Sequence, residues 1–222
     1  MASEEQPQVI GKVNSQDLTV SWISEQGTGT ENTDRVCILV MANGQIRLTM
    51  QSATLNMKGM RLTKGHICVF AVFSGDASIT DKASETFMNN IMRYDITKKP
   101  AKDVLTKCLA IVDKELKKDK KDAEYKASIA AFAAKELTGC CVNGGRLFVL
   151  QNNGKMINFT SENVGILAAG LAWKNVLMVS DGYPIDDNEI KDDMRTPVNE
   201  TAEKRGLKEL PDPSSLIRVQ RL

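Results

Sequence analysis

The chain has 222 residues, 42% of them hydrophobic, with 29 Lys and Arg against 28 Asp and Glu. That balance leaves no global field to recruit nucleic acid or a membrane surface, and no apolar run approaches the roughly 20 residues of a membrane helix. With one histidine (His66), multi-histidine metal sites and Ser-His-Asp chemistry are all but excluded, and five cysteines without zinc-ligand spacing suit a reduced, cytoplasmic core.

Residues 1 to 8 are polar and acidic, unlike a signal peptide, and read as a flexible tail; residues 9 to 222 read as one domain. Val9 to Val13 and Leu18 to Ile23 read as short strands, and the polar loop Gln26 to Asp34 leads into a third, Arg35 to Met41. Asn43-Gly44 signals a hairpin into Gln45 to Met50. Residues 51 to 64 give no assignable pattern. Ile67 to Phe73 is an unbroken apolar run rich in β-branched and aromatic types, bounded by Gly65 and by Ser74-Gly75-Asp76. It predicts a strand buried on both faces, ending in a turn whose glycine lets the backbone approach a ligand.

A helix is predicted with Thr80 as its N-cap and Ala83, Phe87, Ile91 and Tyr94 along one face. Pro100 opens a second, with Ala101, Val104, Leu105, Cys108, Leu109, Val112 and Leu116 as its apolar stripe. Its basic end, Lys114 to Lys121, reads as a solvated terminus where cations suit the helix dipole. Ala127 to Lys135 favours helix by propensity alone, but the residues after it favour strands. Asn143-Gly144-Gly145 reads as a hairpin turn between Leu137 to Val142 and Arg146 to Leu150, and Asn152-Asn153-Gly154 as another before Met156 to Phe159, giving an antiparallel meander. Val164 to Trp173 is apolar. Val176 to Gly182 is a second apolar strand ending in an acidic turn, Ser180-Asp181-Gly182. Helices are predicted from Pro184 to Met194 and from Pro197 to Arg205, ended by Gly206, and Leu216 to Leu222 closes the chain as a strand.

In this order the pieces resemble the metal-dependent protein phosphatase 2C family. Gly27 to Asp34 stands where that family has Gly-x-Arg-x-x-x-Glu-Asp. Ile67 to Asp76 is similar to its central strand and Asp-Gly-His turn, and Ala127 to Ala130 to its Gly-Ser-Thr-Ala strand. Ser180-Asp181-Gly182 matches its Ser-Asp-Gly intact, and Pro211 to Ile217 resembles its closing strand. The resemblance implies an α+β fold, a four-layer αββα sandwich of two antiparallel sheets flanked by helices.

It also implies a chemistry: two Mg²⁺ or Mn²⁺ ions, hard cations held by carboxylates, activate a water that attacks a phosphoserine or phosphothreonine. On this chain the implied metal positions are Asp34, Gly75, Asp181 and Asp212, with Asp76 as a further candidate. Several positions depart from the family, four of them at the implied site. Ser74 replaces the bridging aspartate, Thr33 the glutamate, Gly29 the phosphate-clamping arginine and Asp76 the histidine. The resemblance therefore implies a pseudophosphatase with no catalytic residue intact and weak or absent metal, serving as a binding or regulatory module for a protein partner such as a phosphoprotein. The alternative is an active phosphatase with a site rebuilt from Asp34, Asp76, Asp181 and Asp212. The apolar segment ending in Trp173 is the expected contact surface, with Trp173 as its anchor.

Overall fold

The computed structural model describes residues 18–42, 45–51, 57–62, 67–94, 100–120, 122–133, 136–169, 173–186 and 188–221. Along the chain run β1 (Leu18–Glu25), β2 (Arg35–Ala42), β3 (Gln45–Gln51), β4 (Met57–Leu62), β5 (Ile67–Gly75), α1 (Ala77–Ile91) and α2 (Ala101–Asp119). Then come β6 (Tyr125–Ala133), β7 (Glu136–Val142), β8 (Arg146–Gln151), β9 (Met156–Thr160), β10 (Val164–Ala169) and β11 (Trp173–Val179). The last elements are the short α3 (Ile190–Asp193), α4 (Val198–Lys204), a 3-10 turn (Leu207–Glu209) and β12 (Ser214–Arg221). The predicted tail at residues 1 to 8 and the strand at Val9 to Val13 lie outside the described residues.

The strands form two six-stranded sheets, ordered β4-β1-β12-β11-β8-β9 and β10-β7-β6-β5-β2-β3. Every strand pair is antiparallel. The alternation of side chains along a strand explains the layering. On β5, Cys68, Phe70 and Val72 point between the sheets, where they meet Trp22, Val176, Met178 and Ile217. Val69, Ala71 and Phe73 point the other way, onto Phe87 of α1 and Leu105 and Leu109 of α2. An unbroken apolar run is what a strand covered on both sides requires. β11 repeats the pattern: Val176 and Met178 face the other sheet, while Leu177 and Val179 face Ile190, Val198 and Ala202 around α3 and α4. The result is the expected four-layer αββα sandwich.

The stripe predicted for α2 is buried at every position, and Pro100 stands at its start. α1 begins three residues before the predicted cap: Asp76 is the N-cap residue, and Thr80 donates its N–H to the Asp76 carbonyl at 2.8 Å from inside the first turn. Thr80 is therefore a buried helical residue and not a cap. The helix predicted over Pro184 to Met194 is reduced to Ile190–Asp193. Ahead of it the Tyr183 ring packs inward, and its hydroxyl donates to Asp193 at 2.9 Å.

Two further expectations are corrected. Asn143-Gly144-Gly145 does not close a hairpin between β7 and β8. β7 pairs with β6 and β10 in one sheet, and β8 pairs with β9 and β11 in the other. The turn carries the chain across the sandwich, so the meander is split. A Cβ on Gly145 would lie 1.9 Å from the Ala127 carbonyl oxygen, so only glycine lets the crossing pass so close to β6. The Asn152 to Gly154 hairpin forms as expected. Trp173 is only 5% exposed. Its ring packs against Phe132 at 5.2 Å between centroids, with the Arg221 guanidinium stacked over it at 5.7 Å. A side chain so placed belongs to the core, and Trp173 does not anchor a contact surface.

Candidate functional site

One end of the sandwich gathers the polar turns. β5 delivers Ser74 and Gly75, β11 runs out into Ser180-Asp181-Gly182, the loop after β1 delivers Asp34, the turn before β12 delivers Asp212, and the start of β12 delivers Ser214 and Ser215. The two sheets are stitched here by side chains. Asp181 N donates to Ser74 Oγ at 3.4 Å, and Ser128 Oγ donates to the Val179 carbonyl at 3.1 Å while accepting from Arg146 N at 2.7 Å. Within one sheet, where β11 and β12 adjoin, Ser180 and Ser215 bind each other twice, N–H to carbonyl at 2.9 Å and N–H to Oγ at 2.8 Å. A Cβ on Gly182 would lie 2.2 Å from the Pro213 carbonyl oxygen and 3.2 Å from Asp212 Cβ, so the Ser-Asp-Gly turn and the Asp212 turn are pressed together.

Asp34 sits at the centre and is only 2% exposed. Its N–H donates to Asn32 Oδ1 at 3.0 Å. A line of donors reaches its carboxyl group. Asn32 Nδ2 donates to Ser24 Oγ at 2.8 Å, Ser24 and Ser215 share a hydroxyl hydrogen bond at 2.7 Å, and the Ser215 and Ser180 hydroxyls serve Asp34. Burial nevertheless pushes the carboxyl up to about 7; the two serines pull it down, Asp181 raises it further and Arg35 lowers it. Oδ2 is buried without a hydrogen-bond partner. Arg35 does not compensate it directly. Its guanidinium donates to the Asn32 carbonyl at 2.7 Å and the Asp34 carbonyl at 3.0 Å, and pairs with Asp81 of α1.

The other candidates lie around this centre. Gly75 ends β5, and Asp76 starts α1 with its Oδ1 accepting from Ser78 Oγ at 3.0 Å. The Asp181 carboxylate leans to Lys126, with Oδ2 2.6 Å from Nζ. Asp212 is exposed in its turn. The Gly29 carbonyl accepts from Gln26 Nε2 at 2.6 Å, so the place of the phosphate-clamping arginine is a bare loop. Thr33 lies half-buried beside Asp34. The structure thus brings Asp34, Ser74, Asp181 and Asp212 to one end of the sandwich, with Asp76 at its rim.

These donors do not fit two hard dications. Such ions need several ionised carboxylates converging with free oxygens. Here one carboxyl is buried among serine hydroxyls, one is engaged by an ammonium, and the bridging position carries a hydroxyl. Among the described residues no three His, Cys, Asp or Glu side chains converge as a metal-holding group.

Sequence reasoning missed Lys126, Arg35 and the Ser24, Ser180 and Ser215 set. Lys126 directly precedes the Ala127 to Ala130 strand motif, and pairing that strand with β5 places it opposite Ser74. Ser180 and Ser215 lie inside stretches that the resemblance marks, but their role toward Asp34 arises only where β1, β11 and β12 come side by side.

No protein-family model matches the sequence, and no curated protein matches it. Solved structures do. PppA, described as a key regulatory component of T6SS in Pseudomonas aeruginosa, superposes at a TM-score of 0.67 with 15% identity, over 94% of this chain and 99% of that one. RsbX in complex with magnesium gives 0.61 at 13% identity, over 95% and 98%. The catalytic domain of the serine/threonine phosphatase PstP in complex with two manganese ions gives 0.58 at 14%, over 92% and 99%. At such identities the match concerns architecture, and it spans nearly the whole of each chain. The chain has the phosphatase 2C-like fold, shared with metal-dependent serine/threonine phosphatases.

Proposed function

We propose that this protein is a pseudophosphatase: a phosphatase 2C-like module that has given up phosphoester hydrolysis and acts by binding a protein partner, a phosphoprotein being the class its fold favours. The observation that carries this reading is Ser74. It stands at the end of β5, where a bridging carboxylate would hold two dications together, and its hydroxyl is engaged by the Asp181 backbone. A hydroxyl there supplies no charge to offset two dications a few ångströms apart. Gly29 offers no phosphate clamp, and Asp76 places an anion at the rim where an anionic substrate would enter. Losing the metal-held nucleophile, the clamp and the acid together costs many orders of magnitude in rate, although such losses are not additive.

A rebuilt active site on Asp34, Asp76, Asp181 and Asp212 is the competing reading. Its support is the orphaned Asp34 Oδ2, a buried oxygen with capacity to spare. Hydrolysis of p-nitrophenyl phosphate and of a phosphothreonine peptide, each with millimolar Mn²⁺, separates the two. The pseudophosphatase shows no turnover above a buffer blank. Turnover near one per second, in the ordinary enzyme range, overturns the proposal.

A further inference from the structure

We infer that the Lys126 ammonium is the resident cation of this cleft, neutralising Asp181 in place of a metal ion and keeping dications out. The inference rests on the reading of the site as one that has lost its metals. Lys126 is the register partner of Ser74 across β5 and β6. Its Nζ lies 2.6 Å from Asp181 Oδ2, and the Asp181 N–H donates to Ser74 Oγ at 3.4 Å. Lys126, Asp181 and Ser74 therefore form one set spanning both sheets. The Ser74 hydroxyl is buried, whereas the Lys126 and Asp181 side chains are 41% and 56% exposed, so the ion pair lies at the open mouth of the cleft.

This placement has two physical consequences. The Asp181 oxygen that a dication would take is already bound to a cation, and an incoming ion would have to settle within a few ångströms of a positive charge. Any carboxylate placed at position 74 would also arise directly opposite the lysine. Cross-strand neighbours of opposite charge pair readily, so that carboxylate would be captured by the ammonium before it could serve a metal. Ser74 and Lys126 thus act as one set: with no acid at position 74, the lysine opposite it on the neighbouring strand balances Asp181.

The test is a double-mutant cycle read by calorimetric titration with Mn²⁺ as the sole ligand and by thermal unfolding with and without Mn²⁺. The variants are Ser74→Asp, Lys126→Met, which keeps the aliphatic stem without the charge, and the two combined. Lys126→Arg combined with Ser74→Asp is the charge-retaining control, and Lys126→Gln replaces Lys126→Met if that combination does not fold. Ser74→Asp alone, and with Lys126→Arg, binds Mn²⁺ no better than the wild type. Ser74→Asp with Lys126→Met or Lys126→Gln gains about tenfold or more in affinity, about 1.4 kcal/mol, and unfolds at a higher temperature when Mn²⁺ is present. If Ser74→Asp alone binds Mn²⁺ as tightly as the combined variant, or if the combined variants gain nothing, Lys126 is not the excluding group. Either result leaves the pseudophosphatase reading standing, because that reading fails only if the wild type itself binds Mn²⁺ and turns over phosphoester.

Discussion

Two buried aspartates show two ways in which this molecule tolerates a carboxyl group out of water. Asp193, the last residue of α3 and only 1% exposed, meets a cation on Oδ2: Arg205 reaches it with Nε at 2.9 Å and an Nη at 2.6 Å, and Tyr183 Oη donates at 2.9 Å. The same guanidinium also holds Glu189. Asp34, 2% exposed at the end of the sandwich, has serine hydroxyls but no cation on its oxygens, and burial drives it toward the neutral acid. Each aspartate leaves its other oxygen buried without a hydrogen-bond partner, so the cation is what distinguishes them. The first is a charged pair that locks the segment after the Ser-Asp-Gly turn. The second is an acid whose burial favours its protonated form. A buried charge needs a partner or a proton, and the two sites take one each.

The comparison can be broken hardest at Arg205. Arg205→Met leaves Asp193 buried without its cation, and removing one member of a buried pair costs about 3–5 kcal/mol. Urea unfolding should show that loss; a loss within the range of an ordinary surface substitution would mean Asp193 is not held as described.

Asp34 gives the next largest effect, and it depends on pH. The group's ordinary value of 3.8 rises to about 7 in the folded protein. The folded state therefore binds the proton more tightly than the unfolded chain. The associated stability is fully present below about 4 and is lost as pH rises through about 7, a change on the order of 4 kcal/mol. Asp34→Asn keeps an acceptor and the volume but cannot ionise. Its unfolding midpoint should rise relative to that of the wild type as pH climbs through this window, and two parallel pH profiles would show that Asp34 does not titrate as its burial implies.

The smallest effect belongs to the Lys126–Asp181 pair. Because both side chains are substantially exposed, the pair contributes about 0.2–1 kcal/mol and is screened by salt. Lys126→Met should shift the urea midpoint only slightly at low ionic strength and not at all in molar salt. A shift as large as that of Arg205→Met would place Lys126 in the supporting frame and not at the mouth of the cleft.

Much of the fold was legible because burial writes itself into the residue pattern. The unbroken run Ile67 to Phe73 and the stripe from Ala101 to Leu116 each announced their element and its covered faces. Asn143-Gly144-Gly145 misled for a physical reason: the residues that permit a tight hairpin also permit a tight crossing, and only the pairing of β8 with β11 decides between them. Trp173 misled similarly. An apolar segment reads alike whether its tryptophan lies on the surface or against Phe132. At the site, the substitutions at Ser74, Thr33 and Gly29 were visible by resemblance. The Lys126 contact was not, because it joins residues 55 positions apart through an ion pair that no local pattern encodes.

At the site everything turns on a cleft with no place for two dications. The most direct test is a crystal of the wild-type protein soaked in millimolar Mn²⁺, with anomalous scattering recorded at the manganese edge. The prediction is no pair of anomalous peaks between Ser74, Asp34 and Asp181, with Lys126 still on Asp181. Two peaks bridged there, with Lys126 displaced, would contradict it.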